Sequence, residues 1–510
     1  MAIVTKIDSN VVGLRYAEEL SLGVLPGTPD WIPLEPNSFS DFGGEITTVA
    51  RNPINPSRQR KKGVVTGLSA NGGFATDITQ KNVQSLLQGF MFADLRTKSE
   101  QDVTSISGGG VTNDYNVSSE AGFAIGSLVF SSGFASSGNN GLKTVDGTSA
   151  GVVSVSDTLV DDGSPASGSS IVEVGVEAGA GDIDVDVSGS LPALTSTTLD
   201  FTTLGLIVGE WIYVGGDVAS TAFSNSVNNG FARVRIIAAN RIDLDKTEAT
   251  MVTEASTTET IHLYFGRVLK NELGSLIKRR TYQLERQLGA PDDSLPSEIQ
   301  SEYVVGAVPS ELTFNMPSED KVTIDMSFVG TDVEQRSGAT GVKSGNRPGI
   351  SEADAFNTSS DFSRIKLAKV VDGDPAPTDL FAFAQEMTLT LSNNIEPNKA
   401  LGVLGSFEVS AGTFEIGGSM TAYFADTEAA NAIRNNDDLS FDVHMIKQNS
   451  GITFDLPLLS LGDGRPNVEQ DQPITLPLSI EAATGAKIDS NLDYTLLFMF
   501  WDFLPSAAEA

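Results

Sequence analysis

Residues 51–63, RNPINPSRQRKKG, concentrate positive charge in a chain whose formal net charge is −33. The cations of this stretch are Arg51, Arg58, Arg60, Lys61 and Lys62. Clustered arginine and lysine bind phosphate groups or carboxylates. Three uses remain open: a phosphate site, a solvated loop without a role, and a contact with an acidic surface of another copy. We favour the contact, because acidic copies repel each other and no aromatic residues alternate with the cations to stack on nucleic-acid bases.

The acidic run GDIDVDVSG, residues 181–189, is a second candidate site. It places Asp182, Asp184 and Asp186 on one face of a predicted strand. Carboxylate oxygens suit Ca²⁺. Alternate residues of a strand lie about 6.5–7 Å apart, however, so one ion could not bind all three without further ligands. The glycine and distal glutamate of an EF-hand loop are missing, so a solvated acidic face is favoured and a metal site is the weaker alternative.

The residues that most enzymes use for catalysis are scarce or scattered. The chain contains no cysteine, which excludes thiolate metal sites, disulfides and cysteine nucleophiles. His262 and His444 are far apart in sequence and suggest no Ser/His/Asp arrangement. In so acidic a chain, a pair of carboxylates is little evidence for acid–base catalysis. We therefore expect a protein that is not an enzyme and binds no cofactor.

Composition places the chain among folded proteins. It has 510 residues, of which 40% are hydrophobic and 19% are charged, a balance typical of globular rather than disordered chains. Its acidic field repels nucleic acid and anionic membranes at long range. The start resembles no signal peptide, and no apolar run reaches the length of a membrane span. We expect a soluble protein that is made in a cytoplasm and does not contact a membrane.

Most of the chain alternates apolar and polar residues with the period of two that is typical of strands. The clearest examples are 311–317, 321–330, 386–392, 413–424, 452–461 and 494–503. Helical periodicity predicts one helix over 79–93 and another over 426–435. The apolar face of the first would comprise Val83, Leu86, Leu87 and Phe90. Asp426 and Thr427 are placed to cap the second. We expect a mainly β fold with a few short helices.

Residues 101–265 differ from what surrounds them. They are rich in Gly, Ser and Val and contain 20 Asp or Glu against 5 Lys or Arg. Within them, 124–145 and 207–234 share a pattern: Gly, a short apolar strand, Gly, a polar loop and Asn-Asn-Gly. The last glycine supplies the positive φ that a tight hairpin needs. The pattern predicts an inserted region with two small β-barrel or sandwich modules, at about 120–160 and 200–250.

A second repeat brackets this insertion. NPINPSR (52–58) and NNIEPNK (393–399) share an Asn-x-Ile-x-Pro-x-(Arg/Lys) frame, which adds Lys399 to the candidate cations. Each frame follows a strand-like segment and precedes another strand and a short helix. These elements in the same order predict a duplicated domain, with the frame at a turn between strands. The expected divisions are 1–100 and 266–344 for domain 1, 101–265 for the insertion, and 345–510 for domain 2.

Motifs at both ends of the chain point to one family. A predicted strand ending in Tyr-x-Glu-Glu at 16–19 is followed by GVLPGTPDW at 23–31 and, after the basic stretch, by NVQSLLQGF at 82–90. This run resembles the start of the tail tube proteins, or major tail proteins, of long-tailed bacteriophages. LSNNIEPNKALGVLGSFEVSAGTFEIGGSMTAYFAD, residues 391–426, is similar to a strand–turn–strand of the same family. The resemblance covers most of 1–100 and about 266–510.

The resemblance implies a β-sandwich or barrel domain that assembles into stacked rings around a hollow tube. A duplicated domain implies three subunits per ring with pseudo-sixfold symmetry, lodged in the virion tail. Phage DNA would pass down the lumen at ejection without specific binding. The partners implied are other copies of the chain, a tape-measure protein, a tail terminator and baseplate proteins.

Two other functions remain as alternatives. A secreted or surface-layer β protein could bind calcium through its acidic modules, but it should carry a secretion signal. A carbohydrate-active β enzyme should have an aromatic-lined cleft, and the chain has only 3 Trp.

Overall fold

The computed structural model describes residues 7, 9, 12–54, 56–110, 112–290, 298–350, 353–371, 373–381, 383–425 and 427–509. Strands dominate it, so the mainly β class is confirmed. Five of the six segments with clear alternation lie wholly or largely in strands, and half of the sixth, 494–503, forms the strand Leu497–Trp501. Alternation was informative because most strands bury one face and expose the other.

The elements follow in chain order. Before the insertion come β1 (Gly13–Glu18), β2 (Ile32–Leu34), β3 (Pro36–Arg51), β4 (Lys61–Asp77) and α1 (Gln84–Met91). The insertion contains β5 (Glu100–Ser107), β6 (Asp114–Val117), β7 (Ser127–Ser132), β8 (Gly141–Ser149), β9 (Val152–Val155), β10 (Ser170–Glu177), β11 (Asp184–Asp186), β12 (Ala193–Thr195), β13 (Trp211–Val214), β14 (Gly230–Ala238), β15 (Arg241–Asp245), β16 (Glu254–Ala255) and β17 (His262–Tyr264). After it come β18 (Arg267–Lys270), β19 (Tyr282–Gly289), β20 (Gln300–Met316), β21 (Thr323–Gly330), β22 (Asp332–Ser337), β23 (Phe362–Lys369), β24 (Ala384–Ser392), β25 (Ile395–Asn398), β26 (Glu408–Ala411), β27 (Glu415–Tyr423), α2 (Glu428–Asn435), β28 (Leu439–Lys447), β29 (Ser450–Asp463), β30 (Thr475–Ala483) and β31 (Leu497–Trp501).

Two groups of strands have the same order and the same antiparallel pairing. The first group is β3-β4-β21-β20-β19-β1, and the second is β24-β27-β30-β29-β28-β23. In each group a hairpin, β3–β4 or β24–β27, stands at one edge, and a short helix follows it along the chain. We call these groups, each with its helix, the first half and the second half.

One ladder joins the two halves. Residues Glu311–Met316 of β20 pair with Met387–Ser392 of β24, which makes both groups part of one 16-stranded sheet. A single apolar core runs through both halves. Phe314 of the first half packs edge-on against Phe454 of the second, with ring centroids 4.8 Å apart. Burying a side chain of this size stabilises the fold by about 1.5–3 kcal/mol.

The helix α1 is shorter than the periodicity predicted. The expected apolar face is confirmed, since all four of its residues are fully buried: Val83, Leu86, Leu87 and Phe90. Thr79 and Asn82 instead form a turn before the helix, in which each side-chain oxygen accepts a hydrogen bond from the other residue's backbone N–H, at 3.3 and 3.0 Å. The helix ends at Phe92, whose φ of 48° is left-handed.

The second predicted helix is also present, as α2. Thr427 occupies its N-cap position, but its side chain makes no capping hydrogen bond. Asp426, the other predicted cap, lies outside the described residues. Arg434 near the C-terminus and Glu428 in the first turn have the charges that the helix dipole favours.

The inserted region contains a closed barrel and an open sheet. Strand β10 pairs with both β5 and β7, which closes the order β5-β6-β9-β8-β7-β10 into a six-stranded barrel. Closure leaves no free edge on these strands. Strands β11–β17 form the open order β16-β11-β12-β15-β14-β13-β17, which joins the barrel through β17 and β10.

The Asn-Asn-Gly repeat has the same structure in both modules. The second asparagine, Asn140 or Asn229, bonds both backbone groups of a phenylalanine earlier in its loop, Phe134 or Phe223, at 2.8–3.0 Å. The following glycines have φ values of 99° and 117°, so the expected positive φ is present. The segment between the two strands is nevertheless a longer loop rather than a tight two-residue turn. The asparagine side chain holds this loop through its bonds to the phenylalanine backbone, in place of strand pairing.

Candidate assembly surfaces

The basic stretch lies at the end of the first hairpin. Strands β3 and β4 are 16 and 17 residues long, and their pairing ends at Arg51 and Lys61. Residues 52–60 connect them, and we call these residues the first tip. All described residues of the first tip are exposed, as are Arg51, Lys61 and Lys62. The five predicted cations are therefore brought together at one end of a long hairpin.

The positive charge at this end has no salt-bridge partner among the described residues. Arg51 and Lys61 lie directly opposite each other across the hairpin, and like charges in that position are destabilising. Arg60 donates a hydrogen bond of 3.4 Å from Nε to Oδ1 of Asn52, which is neutral. Within the described part of the chain, no salt bridge involves any of the five cations. An acidic surface supplied from outside the hairpin would relieve this repulsion.

The outer part of the first hairpin also exposes apolar side chains. Ile46, Val49, Val64 and Val65 are each between 52% and 57% exposed, and Ile54 in the tip is fully exposed. Apolar side chains that cluster on an otherwise polar surface commonly mark contact sites. Charge and apolar exposure thus coincide on this hairpin, although sequence reasoning identified only the charge.

The second hairpin continues beyond β24 and β27 as the small pair β25–β26. In the first hairpin, β3 has a bulge opposite Thr76 and Ala75 of β4. In the second hairpin, β24 has a bulge opposite Ala422 and Thr421 of β27, and matching these bulges aligns the two hairpins residue by residue. Pairing in the second hairpin ends at Asn398 and Glu408. Residues 399–407 then form a tip of the same length as the first, which we call the second tip.

This alignment corrects the interpretation of the Asn-x-Ile-x-Pro frame. The first frame, 52–58, lies in the first tip, but Ile395–Asn398 of the second frame form β25 and pair with β26. The two frames are therefore not equivalent, and the second is not a turn. Lys399 is exposed and lies at the start of the second tip, where the first hairpin has Asn52 rather than Arg58.

The second tip is docked on the first half of its own chain. The N–H of Leu68 donates to the carbonyl of Leu404 at 3.0 Å, and the N–H of Ser406 donates to the carbonyl of Thr331 at 3.1 Å. A Cβ at Gly405 would lie 2.2 Å from the Thr331 carbonyl oxygen, so only glycine permits this approach. Sequence reasoning missed this contact because it joins segments that are distant along the chain.

The three aspartates of the acidic run have separate protein partners. Asp182 accepts hydrogen bonds from the Ser196 hydroxyl at 2.5 Å and from two N–H groups and a hydroxyl of Thr197 and Thr198 at 2.9–3.1 Å. Burial alone would raise the pKa of Asp182, but these bonds outweigh it and lower the pKa to about 2. Asp186 pairs with Arg241 at 2.5 Å, and Asp184 accepts from the N–H of Ser256 at 3.0 Å. Among described residues, no three His, Asp or Glu side chains are grouped to hold a metal ion.

The two histidines have separate hydrogen-bond partners. His262 bonds the Tyr264 hydroxyl at 3.0 Å and Glu177 at 2.9 Å. His444 is fully buried, stacks on Phe231 with centroids 4.2 Å apart, and its Nδ1 is hydrogen-bonded to the Thr453 hydroxyl at 2.8 Å. Burial, and then the nearby Arg364, hold the pKa of His444 well below its usual value.

A buried ionic network fixes the insertion to the second half. Arg233 of β14 is 2% exposed and donates to Asp245 through two hydrogen bonds of 2.9 Å and to Asp455 of β29 at 3.0 and 3.2 Å. Arg364 of β23 pairs with Glu248 at 2.8 Å. Buried charges at a contact must be paired, so this network specifies one position of the insertion.

Comparison with known proteins assigns the chain to a family. The family model described as phage tail tube protein matches residues 9–482, which include the insertion and both hairpins. No individual curated protein sequence matches the chain. Among the described residues, none of the helices is long and apolar enough to cross a bilayer.

Proposed function

Because the chain belongs to the phage tail tube protein family, we propose that it polymerises as stacked rings into the hollow tube through which phage DNA is ejected. The observation that carries this proposal is the exposed first hairpin, whose outer part combines solvent-exposed Ile and Val side chains with five cations that form no salt bridge within the described residues. A protein with a net charge of −33 needs local attraction to associate with itself, and a basic patch that meets an acidic patch on another copy provides it.

Each ring would contain three copies. The matching strand orders of the two halves support a duplicated domain, made of 1–100 with 266–344 and of 345–510, around the insertion 101–265. Three copies would then present six similar halves around the axis. Stacking of rings is a head-to-tail contact, which extends into an open filament.

The position in the virion follows from this assembly. The chain would be made in the host cytoplasm and would join a tape-measure protein, a tail terminator and baseplate proteins in the tail. DNA would pass through the lumen in transit, because an acidic lining repels phosphate groups and prevents adhesion.

Negative-stain electron microscopy of the purified full chain tests the proposal. We expect rings or tubes with a central hole. Changing Arg58, Arg60, Lys61 and Lys62 to Glu should abolish them without unfolding the monomer, since all four side chains are exposed. Exposed cations outside the hairpin provide the control, Lys81→Glu with Arg279→Glu. Tubes of normal length and salt resistance in the tip variant would refute the role of the basic stretch.

A further inference from the structure

We propose that the first tip of one copy docks in a cleft on the second half of another copy, lined by Phe414, Glu415, Glu481 and Thr484. This inference rests on the proposed function and deepens it, because it names the surface that receives the basic stretch. The occupant is a second copy of the same chain.

The chain contains an internal contact of the same kind, between its second tip and its first half. Pairing between β21 and β4 ends at Gly330 and Ala70. The second tip takes the place beside β4 that β21 has left, where it bonds Leu68 and Thr331. Leu68 is only 7% exposed in consequence. The first half therefore has a binding site for a hairpin tip around Leu68 and Thr331, which we call a seat. The second tip of the same chain occupies it.

The second half has the same seat without a tip in it. Pairing between β30 and β27 ends at Glu481 and Gly417, the positions that match Val329 and Asn71 of the first half. A cleft of about 730 Å³ opens there. Phe414 stands in the place of Leu68 and is still partly exposed. No described hairpin of the chain fills this cleft as the second tip fills its counterpart.

The unpaired edge of β3 in one copy provides a way to place its first tip in the cleft of a neighbouring copy. Its counterpart β24 has β27 on one side and β20 on the other, whereas β3 pairs only with β4 in the described part of the chain. A long unpaired edge is a template for pairing with another chain. The strand that corresponds to β20 in the second half is β29. Pairing of β3 with the end of β29 in another copy would bring the first tip to the cleft. The pairing of β24 with β20 positions the second tip at its seat in the same way.

The charges of the tips and seats match in pairs. The open cleft carries exposed Glu415 and Glu481, where the occupied seat has Ser69 and Val329. The second tip, KALGVLGSF, has one cation at its start, whereas the first tip and its flanks have five. In the described structure, neither glutamate has a salt-bridge partner. The acidic seat therefore fits the basic tip, and the neutral seat fits the apolar tip.

A charge swap in the full chain tests the contact. Arg58→Glu with Arg60→Glu, and separately Glu415→Lys with Glu481→Lys, should each raise the critical concentration for assembly by about tenfold or more, since each places like charges together. Combining all four changes should restore assembly to near the wild-type value. Asp102→Lys with Asp146→Lys is the matched control, because both residues are exposed and lie in the insertion.

The outcomes separate this inference from the proposed function. If the wild-type chain forms no rings or tubes under any condition, the proposed function fails. If the wild type assembles and both double variants are impaired, but the combined variant is not restored, the first tip has another seat and the inference is wrong. Normal assembly of the cleft variant would also overturn it. Restoration in the combined variant supports the contact directly.

Discussion

The buried ionic network between the insertion and the second half can be tested by changing Arg233 to Met. The methionine side chain is flexible and apolar, and it would remove the guanidinium that bridges Asp245 and Asp455. Asp245 would keep its pair with Arg235 at 2.5 Å, but among the described side chains Asp455 would keep only the Tyr494 hydroxyl, which donates to it at 2.6 Å. One buried carboxylate would thus lose its charge partner.

The magnitude follows from that single unpaired charge. Removing one partner of a buried ion pair costs about 3–5 kcal/mol of unfolding free energy. Arg233→Met with Asp455→Asn should recover most of this loss, because the amide still accepts from Tyr494 and leaves no charge. Burial already raises the pKa of Asp455 against the opposing effect of Arg233, and removal of Arg233 would raise it further. A raised carboxyl pKa gives stability that is present in acid and lost as pH rises, so the defect of the variant should grow as the pH rises above about 4, the pKa of an unfolded aspartate.

Urea denaturation followed by tryptophan fluorescence is the assay, because Trp211 and Trp501 pack against the rings of His444 and Phe231 beside this network. A loss of about 3–5 kcal/mol lowers the urea midpoint by roughly 1–2 M at an m-value of about 3 kcal/mol/M. Arg434→Met, at an exposed site on α2, should change it little. The reasoning is refuted if Arg233→Met leaves the midpoint unchanged, or if the double variant is as unstable as the single one.

Two further predictions concern ring closure and acid stability. The chain has no cysteine, so a variant with Arg58→Cys and Phe414→Cys can form disulfides only between the introduced residues. On oxidation, non-reducing gels should show cross-linked species in steps of 53.7 kDa that end at three copies. Cross-linked species that continue beyond three copies, or no more cross-linking than in the two single variants, would contradict the closed ring. His444 is held neutral by burial with a pKa well below its usual value, so its contribution should be complete above about pH 6.5 and be lost as the pH falls. His444→Gln should flatten the pH dependence of the thermal midpoint between about pH 6.5 and 5, and an unchanged dependence would exclude this histidine as its source.

Local patterns predicted the elements of this fold better than their arrangement. Alternation identified strands such as 321–330, and the spacing of Leu86, Leu87 and Phe90 identified α1, because both patterns report which face is buried. The bounds of α1 were predicted less well, since the Thr79–Asn82 turn and the left-handed Phe92 depend on local hydrogen bonds. The joining of β20 to β24 could not be predicted, because strand pairing between distant segments leaves no periodic signal.

The assembly surfaces show the same division. The density of charge in 51–63 was visible in the sequence, but its position at the end of a hairpin and the exposed valines beside it were not. The shared Asn-x-Ile-x-Pro frame was misleading, because a short motif does not fix the register that bulges and cross-strand pairs determine. The seat at Leu68 and the cleft at Phe414 became comparable only once both hairpins were aligned by their pairing.

The difference between the two tips gives the assembly a direction. Both halves offer a seat, so a chain with two identical tips could exchange its second tip with another copy and form swapped, irregular aggregates. The apolar second tip meets the neutral seat within its own chain, where Gly405 permits a close backbone contact that a basic tip with arginines would not reproduce. The basic first tip is left for the acidic cleft of a neighbour. Specificity of this kind depends on repulsion of the wrong pairing as much as on attraction of the right one. The acidic surfaces of two copies repel each other, and the dense cations of residues 51–62 supply a local attraction.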